Sequence, residues 1–173
     1  QQIQLNGAGT NWFFHNTFSR GLGDGMQITA GNGNRIQNNI FQSNTGNGIF
    51  LSSGSGHAIS NNDFYANFAG NFYPASLGAS NKNISANATF SNGSVSNMAL
   101  QNGSPAVDRG KTNGLFGLGG SPGGAGPDIG AGESAFTAAV LPVVASNLNT
   151  SATYTNLAGA LASLVTGQTL EIV

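Results

Sequence analysis

Along the first half of the chain the apolar residues stand singly or in short bursts, separated by Asn, Ser and Gly. In NRIQNNIFQSNTGNGIFL, Asn34–Leu51, they alternate with polar residues over a few positions at a time: Ile49 inward, Phe50 outward, Leu51 inward. That is the period of short half-buried strands joined by polar or glycine corners. The bursts also repeat. FFHNTF at Phe13–Phe18, IQNNIF at Ile36–Phe41 and ISNNDF at Ile59–Phe64 recur every 23 residues. Self-similarity at this period is too short for a two-helix repeat and suits a coil of short strands.

The register extends through the whole unit. Phe18, Phe41 and Phe64 coincide, as do Phe13, Ile36 and Ile59, and Met26, Ile49 and Phe72. Ile3 and Leu5 fall one period before Met26 and Ile28, and Gly25 matches Gly48, with Asn71 in the third place. Coils stacked about 4.8 Å apart would pair each strand with its equivalents above and below, and pile these residues into interior columns. Asn16, Asn39 and Asn62 form a further column. Asparagine tolerates left-handed backbone angles, and its amide can bond the amide of the next rung, so the column is expected at a corner as a structural ladder. The fold class predicted is all-β, a β-solenoid, over residues 1–134.

The pattern then changes. Residues 135–153 include the apolar AAVLPVVA and a Ser/Thr/Asn-rich stretch, and read as a strand and linker. In residues 154–173, Leu157, Leu161 and Leu164 fall at i, i+4 and i+7, Thr155 is placed to cap, and Gly167 follows, which predicts a short amphipathic helix over 155–166. Gln168–Val173 reads as a strand.

Two resemblances enter here. The repeated N-N-x-F units resemble those of right-handed parallel β-helix proteins, asparagine ladders included. NISANATF (Asn83–Phe90) and LQNGSPAVDRG…GPDIGAGE (Leu100–Glu133) resemble the C-terminal end of secreted bacterial β-helix proteins of the choice-of-anchor type. That family typically carries Asp at the position of Asn87, Pro at Ala88 and an aromatic at Gly132. The resemblance implies a secreted, extracellular or cell-surface protein. The helix followed by G-x-T and an apolar strand is similar to the N-terminal cap of parallel β-helices, yet stands last in this chain.

An exposed end of such a stack offers unpaired N–H and C=O groups, an assembly hazard unless covered. Three readings are open. The tail of one molecule docks on the next and builds a head-to-tail filament; or it caps its own molecule; or the chain is one unit of a longer tandem array. The residues expected to assemble are Ile3, Leu5, Leu157, Leu161, Leu164, Leu170 and Ile172. Trp12, Phe14, Phe50 and Tyr73 point outward, where the AAVLPVVA segment or a partner would cover them.

Composition narrows the chemistry. Of 173 residues 6% are charged, with five Lys/Arg, a net charge of −1 and no cysteine. This carries no basic footprint for nucleic acid, no disulfide and no apolar run of the roughly 18 to 20 residues a membrane span needs. Glycoside hydrolysis needs two carboxyls across one groove, and six acids are available: Asp24, Asp63, Asp108, Asp128, Glu133 and Glu171. Asp24 and Asp63 lie in different sectors of the repeat. Asp108, Asp128 and Glu133 belong to the terminal motif, where they are expected to bond turn amides or pair with Arg109 as the solenoid closes. His15 aligns with Asn38 and Asn61, and His57 with Asn34 and Asn11, so both read as ladder or turn substitutes. No metal-ligand spacing or nucleotide loop appears, and no cofactor is expected. Asn83, Asn87, Asn92 and Asn149 are sequons available to a glycosylating host. The expected function is therefore non-catalytic: a structural subunit of an extracellular filament or surface fibre with itself as partner. The alternative is a carbohydrate-active or carbohydrate-binding β-helix fragment with a glycan as ligand.

Overall fold

The structure, a computed structural model, describes residues 2–7, 9–78, 82–91, 98–114, 117, 124–137, 145–147, 149, 153–154, 161 and 169–172. Residues Gln1–Ala139 and Val140–Val173 form two compact units.

The first unit contains three parallel sheets built by repetition. Strands β1 (Ile3–Leu5), β4 (Met26–Ile28), β7 (Asn47–Leu51) and β10 (Gly70–Tyr73) pair in that order. Strands β2 (Trp12–Phe14), β5 (Arg35–Gln37) and β8 (Ala58–Ser60) form the second sheet; β3 (Thr17–Ser19), β6 (Ile40–Gln42) and β9 (Asp63–Tyr65) form the third. Every register shifts by one sequence period: Phe13 opposes Ile36 and then Ile59, Phe18 opposes Phe41 and then Phe64, and Ile3 opposes Met26 and then Ile49. Parallel strands need crossovers, and here each crossover is simply the rest of the coil.

Alternation within each short strand sends one residue inward and its neighbours outward. Met26, Ile28, Ile36, Phe41, Ile49, Ile59 and Phe64 make the buried interior, with Phe13 and Phe72 packed against it. The phenylalanine rings stack face to face at centroid separations of 4.8 and 4.9 Å, the rise of the coils themselves. Small residues are required above these rings. A Cβ on Gly48 would come within 2.7 Å of the Phe64 ring, and one on Gly25 within 2.9 Å of Phe41.

The asparagine column divides its two expected properties between neighbouring positions. Left-handed backbone angles fall on His15, Asn38 and Asn61, with φ of 54°, 58° and 54°, and not on Asn16, Asn39 or Asn62. A residue in the left-handed region turns the chain; the next residue, back in ordinary conformation, points its side chain into the stack and builds the ladder. The expectation that one column does both is thus corrected. The same division recurs at Arg20, Ser43 and Ala66, with φ of 57°, 58° and 52°, each preceding a rung at Gly21, Asn44 or Asn67.

The terminal motif forms a strap along the outer wall of the third sheet, spanning several coils. Ala131 N–H donates to Thr17 Oγ1 at 3.1 Å, Gly130 N–H to Asn38 O at 2.8 Å, and Ala88 N–H to Gln42 Oε1 at 3.1 Å. The physical reason is Ile40, which faces outward from β6 yet is apolar. It is buried beneath Ala88, Leu100, Ala106, Val107 and Ile129 in a second core. Gly130, at φ 110°, passes so close that a Cβ would meet Ile40 Cδ1 at 2.6 Å.

In the second unit β11 (Ala145–Asn147) is the central strand of a small antiparallel sheet between β12 (Thr153–Tyr154) and β13 (Leu170–Ile172). The segment 135–153, expected to hold a strand and a linker, supplies the strand that β13 pairs with. Leu161 is helical and exposed. Leu157, Leu164 and most of the expected helix lie outside the described residues, as does Ala138–Val144.

Candidate assembly interface

The ladders make the ends of the stack chemically unlike. Asn39 Oδ1 accepts both the backbone N–H and the side-chain N–H of Asn16, each at 2.9 Å. Asn62 Oδ1 does the same for Asn39, at 2.9 and 3.0 Å, and Asn39 and Asn62 are fully buried. Each lower amide also donates back up, Asn39 to Phe13 O and Asn62 to Ile36 O. Every rung thus donates toward the C-terminal end and is left with its own Oδ1 for the rung before it.

Two more ladders run in parallel that sequence reasoning did not identify as such. Asn44 Oδ1 accepts from Gly21 N–H at 2.9 Å, and Asn67 Oδ1 accepts from Asn44 N–H and Nδ2 at 3.2 and 2.9 Å. Asn34 Oδ1 accepts from Asn11 N–H and Nδ2 at 2.9 and 3.1 Å. His57 ends that series: its Nδ1, 3.2 Å from Asn34 N and 3.1 Å from Asn34 Nδ2, stands where an asparagine oxygen otherwise would. Recurrence of Asn at 23-residue spacing was the available signal, since Asn11/Asn34 and Asn44/Asn67 obey it as strictly as Asn16/Asn39.

At the C-terminal end the stack is closed. Asn83 supplies a fourth rung, its Oδ1 accepting from Asn62 N–H at 2.9 Å. Ile84 bridges Asp63 in parallel register, and a 3₁₀ turn, Ala75–Gly78, lays Leu77 on the core. Asn83 is therefore a ladder member before it is a sequon. Asn87 and Asn149 are exposed, Asn87 accepting from Gln42 and Asn149 from Thr169 N–H, and Asn92 lies outside the described residues.

At the N-terminal end β1, β2 and β3 are each the last strand of their sheet. Ile3 and Phe13 are only partly buried, and among the described residues no donor meets Asn11 Oδ1 or Asn16 Oδ1. Of the other expected assembly residues, Leu5 is buried in the core, while Leu170 and Ile172 lie in β13, an edge strand of the small sheet.

The outer walls carry aromatic residues. Phe50 and Tyr73 stack at 4.9 Å; Trp12 lies 6.0 Å from Phe14 and under the Arg35 guanidinium at 5.3 Å. Leu22 and Phe68 are 95% and 90% exposed and occupy one column two periods apart, a pair the sequence reading did not single out.

Five of the six acids accept from backbone amides. Asp24 Oδ1 accepts Asn47 N–H at 2.7 Å, and Asp63 Oδ1 accepts Ala86 N–H at 3.0 Å. On the strap Asp108 accepts Gly126 N–H, Asp128 accepts the N–H groups of Asp108 and Ser134, and Glu133 accepts those of Gly117 and Asp128. Asp108, Asp128 and Glu133 thus accept from turn amides. Asp63 is the outlier. It sits in the Thr17/Ile40 column, is wholly buried, and its carboxyl is pushed up to about 7 by desolvation, against the lowering effect of the Ala86 and Phe64 backbone bonds. Among the described residues no group of three or more His, Cys, Asp or Glu is placed to hold a metal ion, and no helix is long and apolar enough to cross a membrane.

The right-handed β-helix region, as a family, matches residues 1–95, more than half of the chain. The chain belongs to the right-handed β-helix family. The match covers the coils, the 3₁₀ turn and the fourth rung. No curated protein and no solved structure matches the chain. As a β-helix it is compatible with both structural and carbohydrate-directed roles.

Proposed function

We propose that this β-helix is a non-catalytic structural protein, the subunit of an extracellular filament or surface fibre, whose N-terminal face accepts a second copy. The observation that carries the proposal is the regularity of the stack, in which neutral amide ladders and stacked rings repeat from coil to coil. Among the described residues β1, β2 and β3 each leave one strand edge without a partner strand. An edge of this kind templates another strand, and β13 of a neighbouring molecule, itself an edge strand, is the segment of this chain suited to pair with it. A contact between unlike surfaces does not close on itself and so propagates. The employment of Asp24, Asp63, Asp108, Asp128 and Glu133 as acceptors for backbone amides supports a scaffold over an active site. Resemblance of the closing motif to secreted choice-of-anchor proteins supports the extracellular placement.

Sedimentation velocity over a hundredfold concentration range, with negative-stain imaging of the same samples, tests this. Concentration-dependent growth into fibres, abolished by Leu5→Asp or by proline in β13, is the expected result; a sharp monomer throughout overturns it. A second reading, glycan binding, draws on the Phe50–Tyr73 stack, since Tyr73 is more than half exposed. Retention on a polysaccharide panel that is lost with Tyr73→Ala would favour it.

A further inference from the structure

We propose that His15, Asn38 and Glu133 form a proton-operated clasp between the strap and the solenoid wall, which holds the strap at Lys111 when His15 is neutral and releases it there, in exchange for an ion pair to Glu133, when His15 is protonated. His15 and Glu133 are buried, with side chains 3% and 2% exposed, although they are separated by most of the unit in sequence. The imidazole lies between two partners of opposite demand. Its Nε2 is 3.0 Å from Asn38 Nδ2, and its Nδ1 is 3.6 Å from Glu133 Oε1.

The tautomer follows from the strap. Lys111 N–H donates to Asn38 Oδ1 at 2.8 Å, and Asn38 Nδ2 donates to Lys111 O at 3.0 Å. This two-point contact fixes which end of the amide is nitrogen. The remaining N–H of Asn38 Nδ2 then points at His15 Nε2, which must accept, so the ring proton resides on Nδ1, facing the carboxylate. A second proton has only Nε2 to occupy, and there it opposes an N–H donor. Either the His15–Asn38 contact breaks, or the amide turns over and both bonds to Lys111 are lost with it. The new cation meanwhile finds its counter-charge in Glu133. Protonation therefore exchanges an amide clasp for an ion pair and frees the strap at Lys111.

Glu133 faces His15 from the strap; Asp128 lies behind Glu133, turned to the N–H groups of Asp108 and Ser134; Lys111 meets the wall through its main chain, with an exposed side chain. At the equivalent positions of the next two coils the residue is Asn, which cannot titrate.

The test is amide exchange on the full chain. The protection factor of Lys111 N–H is expected to fall about tenfold from pH 8 to pH 5, the range over which histidine changes charge. In His15→Asn, which installs the residue found at Asn38 and Asn61, it is expected to stay level. An equal fall in both proteins, or no fall in the native chain, overturns the clasp. Imidazole ¹⁵N shifts of the native protein decide independently of any variant: an Nδ1–H tautomer at pH 8 supports the proposal and an Nε2–H tautomer refutes it.

Discussion

The coils and the strap fill space beside the same sheet, and they are held by different chemistry. Coil contacts are neutral and repeated: Phe on Phe, amide on amide, one strand on its equivalent. Strap contacts are singular: within it Asp108, Asp128 and Glu133 each accept from turn N–H groups that occur once. Repetition makes the wall's stability a sum over interchangeable layers. The strap has no such redundancy. The two regions should therefore answer to different perturbations.

The largest effect is expected inside the wall. Phe41→Ala removes the middle ring of the stack and leaves a cavity between Phe18 and Phe64, costing about 3 to 5 kcal/mol in equilibrium denaturation. Asp63 is the exception that sharpens the contrast, a carboxyl sealed between wall and strap. Its folded value lies above its ordinary one of 3.8, so its stabilising state is the protonated one. That contribution is full below pH 3.8 and lost as pH rises through about 7, a total of about 4 kcal/mol. Asp63→Asn keeps the acceptor for Ala86 N–H and should flatten the stability profile across that window.

Asn39→Ala is next. It strips the shared acceptor from Asn16 and the donor to Phe13 O in a buried site, at a cost of about 3 kcal/mol by the same denaturation measurement. The smallest effect belongs to His57, whose folded value is lowered by desolvation. Its contribution is present above the ordinary 6.5 and lost as pH falls below it, opposite in sign to Asp63. His57→Asn restores an amide oxygen to the rung and should remove that acid sensitivity, read from melting curves at successive pH values.

The same contrast governs what the sequence revealed. Repeated positions were legible because a column is visible as a period, and Phe18/Phe41/Phe64 or Met26/Ile49 needed no structure to align. The left-handed corners at His15, Asn38 and Asn61 were not separable from the ladder one residue later, since both columns are rich in asparagine. The strap was illegible for a different reason. Ile40 looked like an interior residue beside Phe41, and nothing local declares that Gly130 and Val107 will return to cover it. His15 meeting Glu133 is likewise a long-range consequence of where the strap lies. Ile3 and Leu5 declared their strand by register, but the far end of the stack, with Asn83 as a rung, departs from the repeat spacing by two residues.

The division between wall and strap is tested most directly by native-state hydrogen exchange in rising denaturant. The backbone N–H groups of Asn39 and Ile40, within the wall, should open only with global unfolding. Those of Asp108, Gly126 and Ser134 should open earlier, together, and at lower free energy. One common opening free energy for both sets would contradict the account.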